Sequence, residues 1–135
     1  MGLAERRAAE RFKNDDYPGW KERIDQAAGF EVPVEVIWEE LEVADYADNY
    51  AEYFPKVYFQ PLVDALSAVT VDEMGKNAAR EGLSKIVIRN TNKYASASGF
   101  AFAEGVLTID HKPHANVDYS DERAKALQRT LESGL

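Results

Sequence analysis

The chain has 135 residues, 24 Asp and Glu against 16 Lys and Arg, a net charge of −8 and no cysteine. That length fits one domain able to bury roughly 65–70% of its unfolded surface, and the composition is that of a folded chain rather than a disordered one. Missing cysteine excludes disulfide scaffolds and thiolate metal sites, a reducing compartment such as the cytoplasm is expected, and the acid surplus speaks against direct nucleic-acid binding, which needs a cationic face. No apolar run approaches the ~18 residues of a membrane span, and residues 1–13 lack a secretory pattern.

In chain order, residues 3–13 read as a helix with Ala4, Ala8 and Phe12 on one face. Asn14-Asp15-Asp16 is a breaker, and Pro18 suits the first turn of a second helix carrying Trp20, Ile24, Ala27 and Ala28, ended by Gly29. Residues 3–29 are thus expected to form a helical hairpin. From Phe30 to Trp38 valines alternate with Glu31, Pro33 and Glu35, the pattern of a half-buried strand, and Pro33 places it at a sheet edge. From about residue 44, Tyr46, Tyr50, Tyr53 and Phe54 recur at helical spacing, and Pro55 is expected to end that helix. Pro61 opens another, with Leu62, Leu66 and Val69 inward, while Val57-Tyr58-Phe59 fits either a helical turn or an extended piece. Thr70-Val71-Asp72-Glu73 has the form of a capping box for a helix over 71–81, with Gly82 as its left-handed stop.

The period then changes. Lys85–Arg89 is an apolar strand, and Asn90–Gly99 a long polar loop. Phe100–Ala103 and Val106–Ile109 flank Glu104-Gly105, a two-residue hairpin turn. A last helix, capped by Asp118 or Ser120, buries Ala124, Leu127 and Leu131. The order predicts a single α+β domain over 1–135: the hairpin, a strand and helices over 30–82, and a three-stranded meander with a helix over 83–135. The expected sheet is antiparallel, of about four strands, with helices mainly on one face.

Function is sought where the charge is uneven. Glu31, Glu35, Glu39, Glu40, Glu42, Asp45, Asp48 and Glu52 fall in one stretch without a single Lys or Arg, so these 8 carboxylates equal the whole net charge. Such crowding raises carboxylate pKa values and costs stability until a cation arrives. Tyrosine is favoured at interface centres, so Trp38, Glu39, Glu40, Glu42, Asp45, Tyr46, Asp48, Glu52 and Tyr53 form the expected partner-binding surface, with Tyr50 and Phe54 assigned to the core. The expected partner is a basic protein. Small acidic proteins that neutralise nucleases supply the concrete form: an immunity or inhibitor protein acting on a bacterial-type toxin, not an enzyme, with no cofactor and no metal.

Two other readings stand beside it. Asp110, His111 and His114 could line a ligand pocket or a metal-dependent active site, although Pro113 and Lys112 oppose convergence on a cation. The tyrosine helix could instead be buried in a homo-oligomer. Ser96 and Ser98 lack the strand–turn–helix setting of a nucleophile, and the acids lack the ligand spacing and central Gly of a calcium loop.

Overall fold

The computed structural model describes residues 2–135, and Met1 lies outside them. Among the described residues the order is α1 (residues 3–28), β1 (Val34–Val36), α2 (Trp38–Leu41), α3 (residues 50–69, entered through a 3-10 turn, Ala47–Asn49), α4 (Glu73–Gly82), β2 (Lys85–Arg89), β3 (Phe100–Ala103), β4 (Val106–Asp110) and α5 (Ser120–Gly134). The α+β class holds.

The expected N-terminal hairpin is a single helix, and proline explains why. Helix α1 is α-helical over Leu3–Arg11, turns once as a π-helix over Phe12–Asp16, and is α-helical again over Tyr17–Ala28. In a regular helix Pro18 would collide with the carbonyl four residues back. The Tyr17 N–H instead reaches back to the Phe12 carbonyl, which widens the turn just ahead of the proline and absorbs the fault. Helix α3 repeats the device, with α-helix over Tyr50–Phe54 and Gln60–Val69 around a π-helical turn, Pro55–Phe59. There the Gln60 N–H bonds the Pro55 carbonyl, and Pro61 comes next. Pro55 therefore does not end the helix, and Val57, Tyr58 and Phe59 are helical and buried.

Two smaller expectations also shift. The α4 cap is Asp72, whose carboxylate accepts from the Gly75 N–H at 2.8 Å. Thr70 donates its hydroxyl to the Ala27 and Leu66 carbonyls instead. Gly82 is the last residue of α4, not a left-handed stop.

The sheet has the order β1-β2-β4-β3. It is mixed, correcting the antiparallel meander: β1 and β2 pair in parallel, as do β2 and β4, and β3 with β4 is the antiparallel pair. Residues 90–99 are long enough to carry the chain past the position that β4 later fills. β3 therefore starts at the far edge, and the hairpin returns β4 beside β2. Its turn residues Glu104 and Gly105 both have positive φ, 53° and 80°, the geometry of the tightest right-twisting hairpins. β1 is an edge strand, as Pro33 indicated.

Registered pairs put Val34, Val36, Ile86, Ile88, Leu107, Ile109, Phe100 and Phe102 on one face. The helices cover it with Ile24, Leu62, Leu66, Leu127 and Leu131, all fully buried. Beyond them lies an aromatic layer: Phe12 stacks on Phe59 at 5.6 Å and meets Phe54 edge-on at 5.2 Å. Tyr50 and Phe54 stack at 4.6 Å inside the core, as their spacing implied. With α1, β1 and α2 attached to the same core as the rest, the chain is one domain.

Gly99 shows how tightly the loop returns to the sheet. A Cβ there would lie 1.9 Å from the Asp110 carbonyl oxygen and 2.9 Å from the Tyr94 Cβ. Gly99→Ala is expected to destabilise the protein by about 1–3 kcal/mol through overpacking, measured as a lower urea midpoint at unchanged m-value.

Candidate functional site

In a sheet with parallel strands, ligands are received at the carboxyl ends, where the connecting loops gather. Here β1, β2 and β4 end together, and three loops meet: residues 37–49, 90–99 and 111–119. Three of the four non-glycine residues with positive φ, Asp45, Asn92 and Asn116, lie in these loops, and such side chains tolerate that conformation better than others. Between the first two loops and His114 is a groove of about 560 Å³ lined by Glu39, Glu40, Val43, Ala44, Tyr46, Asn90, Thr91, Asn92 and His114.

One wall is built by Glu40. Its carboxylate takes two bonds from Arg89, at 2.8 and 3.2 Å, and one from the Asn90 N–H at 3.0 Å. The Glu40 carbonyl accepts from the Asn90 amide at 3.1 Å. Glu40 therefore ties α2 to the end of β2 and is committed to structure. Asp110 does the same for the next loop, accepting from the Thr91 N–H at 2.9 Å and the Thr91 hydroxyl at 2.8 Å. The other wall is aromatic: Tyr46 stacks on His114 at 4.7 Å and 25°, and Tyr53 leans on Tyr46 at 6.1 Å.

The expected partner-binding residues separate in space. Trp38 is half-buried and meets Tyr17 edge-on at 5.3 Å, so it belongs to the aromatic layer. Glu39 is exposed on the groove and has no ion pair among the described residues. Glu42 is half-buried, and its carboxyl is raised by burial first and by Glu39 and Glu10 next, with Arg6 opposing. Asp45 is exposed beside Tyr46. Asp48 lines a different groove, about 410 Å³ between α1 and α3, facing Arg7 and Arg11. Glu52 pairs with Lys56 at 2.9 Å. Glu31 and Glu35 stand outside this end, Glu35 paired with Lys85 at 2.7 Å. The junction around Glu39, Asp45 and Tyr46 is what remains together. Asn90, Thr91, Asn92, Val43 and Ala44 complete it; the only signal of the first three in the sequence is a polar run directly after an apolar strand, and Val43 and Ala44 carry none.

Of the two histidines, His114 lines the groove with Glu39 and Glu40, and His111 does not. His111 is fully buried; one ring nitrogen lies 2.7 Å from the Lys112 carbonyl, and Nε2 has no hydrogen-bond partner. Its backbone carbonyl accepts from the Tyr58 hydroxyl. Burial pushes the His111 pKa below 6.5, outweighing the favourable Lys112 carbonyl. His114 is lowered by burial first and then by Lys112. Among the described residues no three His, Cys, Asp or Glu side chains are grouped to hold a metal ion, and no helix is long and apolar enough to cross a membrane. In comparisons with known proteins, no family model, no curated protein and no solved structure matches the chain.

The two adjacent glutamates should separate in experiment. Glu40→Gln is expected to cost about 1 kcal/mol, since it weakens charge-assisted bonds to a partly exposed arginine and to a backbone N–H. Glu39→Gln should stay within about 0.5 kcal/mol of wild type; urea denaturation of both variants checks this. For His111 the unfolded state takes up a proton near pH 6.5 and the folded state only at lower pH. Stability is therefore full above that value and falls as pH drops below it. His111→Gln should flatten this fall between pH 7 and pH 5, whatever its effect at pH 7.

Proposed function

We propose that the protein is a non-enzymatic binding module whose groove at the carboxyl ends of the parallel strands receives a basic side chain from a partner protein. The carrying observation is the groove itself. Glu39 presents an unpaired carboxylate, Tyr46 and His114 present a stacked ring pair, and the lining holds no lysine or arginine. A cation entering there gains a charge partner and a π face, while exposed Asp45 beside the groove and the net charge of −8 favour its approach. The concrete form is an inhibitor or immunity protein that covers the cationic surface of a toxin such as a nuclease, which rests on charge and size.

Of the residues central to the enzymatic alternative, Asp110 holds the Thr91 loop and His111 is fully buried. A homo-oligomer through the tyrosine helix would rest on Tyr46 and Tyr53, because Tyr50 and Phe54 are buried within the chain.

The test uses purified small basic nuclease domains against the immobilised protein at low and high salt. Wild type is compared with a Glu39→Gln, Asp45→Asn double variant; Glu40 is left intact because its loss would damage the wall. Binding that weakens with salt, and a loss of about tenfold in the variant, or about 1.4 kcal/mol, is the expected result. Unchanged affinity and salt dependence in the variant would show that this groove is not the interface.

A further inference from the structure

A concavity with a cationic surplus lies elsewhere on this acidic chain, between the loop at residues 95–97 and the first half of α5. It is a pocket of about 240 Å³ lined by Ser96, Asn116, Tyr119, Glu122, Arg123 and Arg129, the remainder being alanine. Its two arginines exceed its single glutamate by one. The groove at the sheet end, by contrast, holds two glutamates and no lysine or arginine, and the α1–α3 groove balances Arg7 and Arg11 against Asp16 and Asp48.

Arg123 is the unusual member, only 4% exposed. A buried guanidinium ordinarily faces a carboxylate, because an uncompensated charge in low dielectric is costly. Here it has no ion pair among the described residues. Three bonds go to carbonyls, of Asn116 at 2.7 Å, Val117 at 2.9 Å and Lys56 at 3.2 Å, and Nε is buried with no partner. Carbonyls satisfy donors without supplying negative charge. Its Nε donor is thus unspent though sealed from solvent, no carboxylate among the described residues lies within ion-pair distance, and the side chain lines the pocket.

We propose that this pocket binds a small oxyanion, a carboxylate or phosphoryl group, held by Arg123 at its base and Arg129 at its rim. Arg129 is exposed and has no ion pair among the described residues, so it is available to close over the ligand. Guanidinium groups recognise both kinds of oxyanion through paired N–H donors. The Tyr119 hydroxyl offers a further donor, whereas the Ser96 hydroxyl donates to that of Ser98 at 3.2 Å. Glu122, on the same rim, opposes an anion and sets the affinity below what two arginines alone would give. This site is independent of the proposed basic-partner groove and stands or falls separately.

The test titrates the ¹⁵N-labelled full chain with inorganic phosphate and, in a second arm, with sodium acetate, holding ionic strength with sodium chloride. Saturable shifts of the Ser96, Asn116 and Tyr119 amides in either arm are expected. Response to phosphate alone assigns a phosphoryl ligand, to acetate alone a carboxylate, and to both a general oxyanion site. Arg123 also ties the loop at Asn116 and Val117 to α3, so its removal risks the fold and is not the variant of choice. Arg129→Gln should weaken binding about fivefold, and Glu122→Gln should tighten it by a similar factor, as expected for partly exposed charges. Tightening on loss of Glu122 is a response that a purely structural arginine would not produce. Shifts that fail to saturate, that saturate at other residues, or affinities that do not move in both of these directions overturn the proposal.

Discussion

Pro61 leaves one carbonyl without a helical partner, and the far side of the molecule is assembled on it. In the π-helical turn of α3 each N–H reaches back five residues, as Gln60 does to Pro55. The next residue in line for the Lys56 carbonyl is Pro61, which has no N–H to give. That carbonyl is taken from outside the helix: Ser120 donates its hydroxyl, and Arg123 donates an N–H at 3.2 Å. Both donors belong to the first turn of α5, so a proline in one helix fixes where another begins. Arg123 then holds the carbonyls of Asn116 and Val117, and Tyr58, in the same π-helical turn, holds that of His111. Residues 111–119 are drawn down onto the helices by these bonds. Buried backbone groups rarely go unpaired, and here the pairing spreads from one missing donor.

This chain of dependence explains the limits of the sequence reading. Local signals were legible: the Glu104-Gly105 turn, the Lys85–Arg89 strand, the edge position of β1 and the burial of Tyr50 and Phe54 all follow from patterns within a few residues. Proline was misread for a physical reason. Its missing N–H and ring suit the first turn of a new helix, so Pro18 and Pro61 read as helix starts, whereas a π-helical turn ahead of each lets one helix run through. Nothing in the identities of the flanking residues distinguishes a break from a bulge, because the choice depends on whether tertiary contacts make the longer helix worth keeping. For α1 they do: Phe12 and Tyr17 sit within and beside the bulge and pack on Phe59 at 5.6 and 5.5 Å.

Strand direction was lost in a similar way. A late run of three strands suggests neighbours in sequence that are neighbours in space. The loop at residues 90–99 breaks that expectation by its length alone, since it crosses the sheet end before the hairpin returns. The acid cluster is the counterpart on the functional side. Eight carboxylates adjacent in sequence look like one surface, but residues 31–54 pass through a strand, a short helix and a 3-10 turn, each facing a different way. Glu40, in the densest part, turns out to be an internal clasp for Arg89 and Asn90. Density in sequence points to a junction without telling which carboxylate is free.

The freedom of Glu39 depends on the commitment of Glu40. In a groove framed by two mobile glutamates, a bound cation would have to order both, and the side-chain entropy lost would offset much of the attraction. Here one is already fixed by three bonds, and the facing ring of His114 is held in its stack on Tyr46. Asp110 anchors the Thr91 loop, and the Tyr94 carbonyl accepts from the Lys112 N–H at 2.8 Å, joining the two remaining loops. The groove is therefore set before any ligand arrives, and the Glu39 side chain is the one acidic lining group left to order. On the proposed reading, that economy of ordering, more than the number of acids nearby, is what would suit the carboxyl end of this sheet to a basic partner.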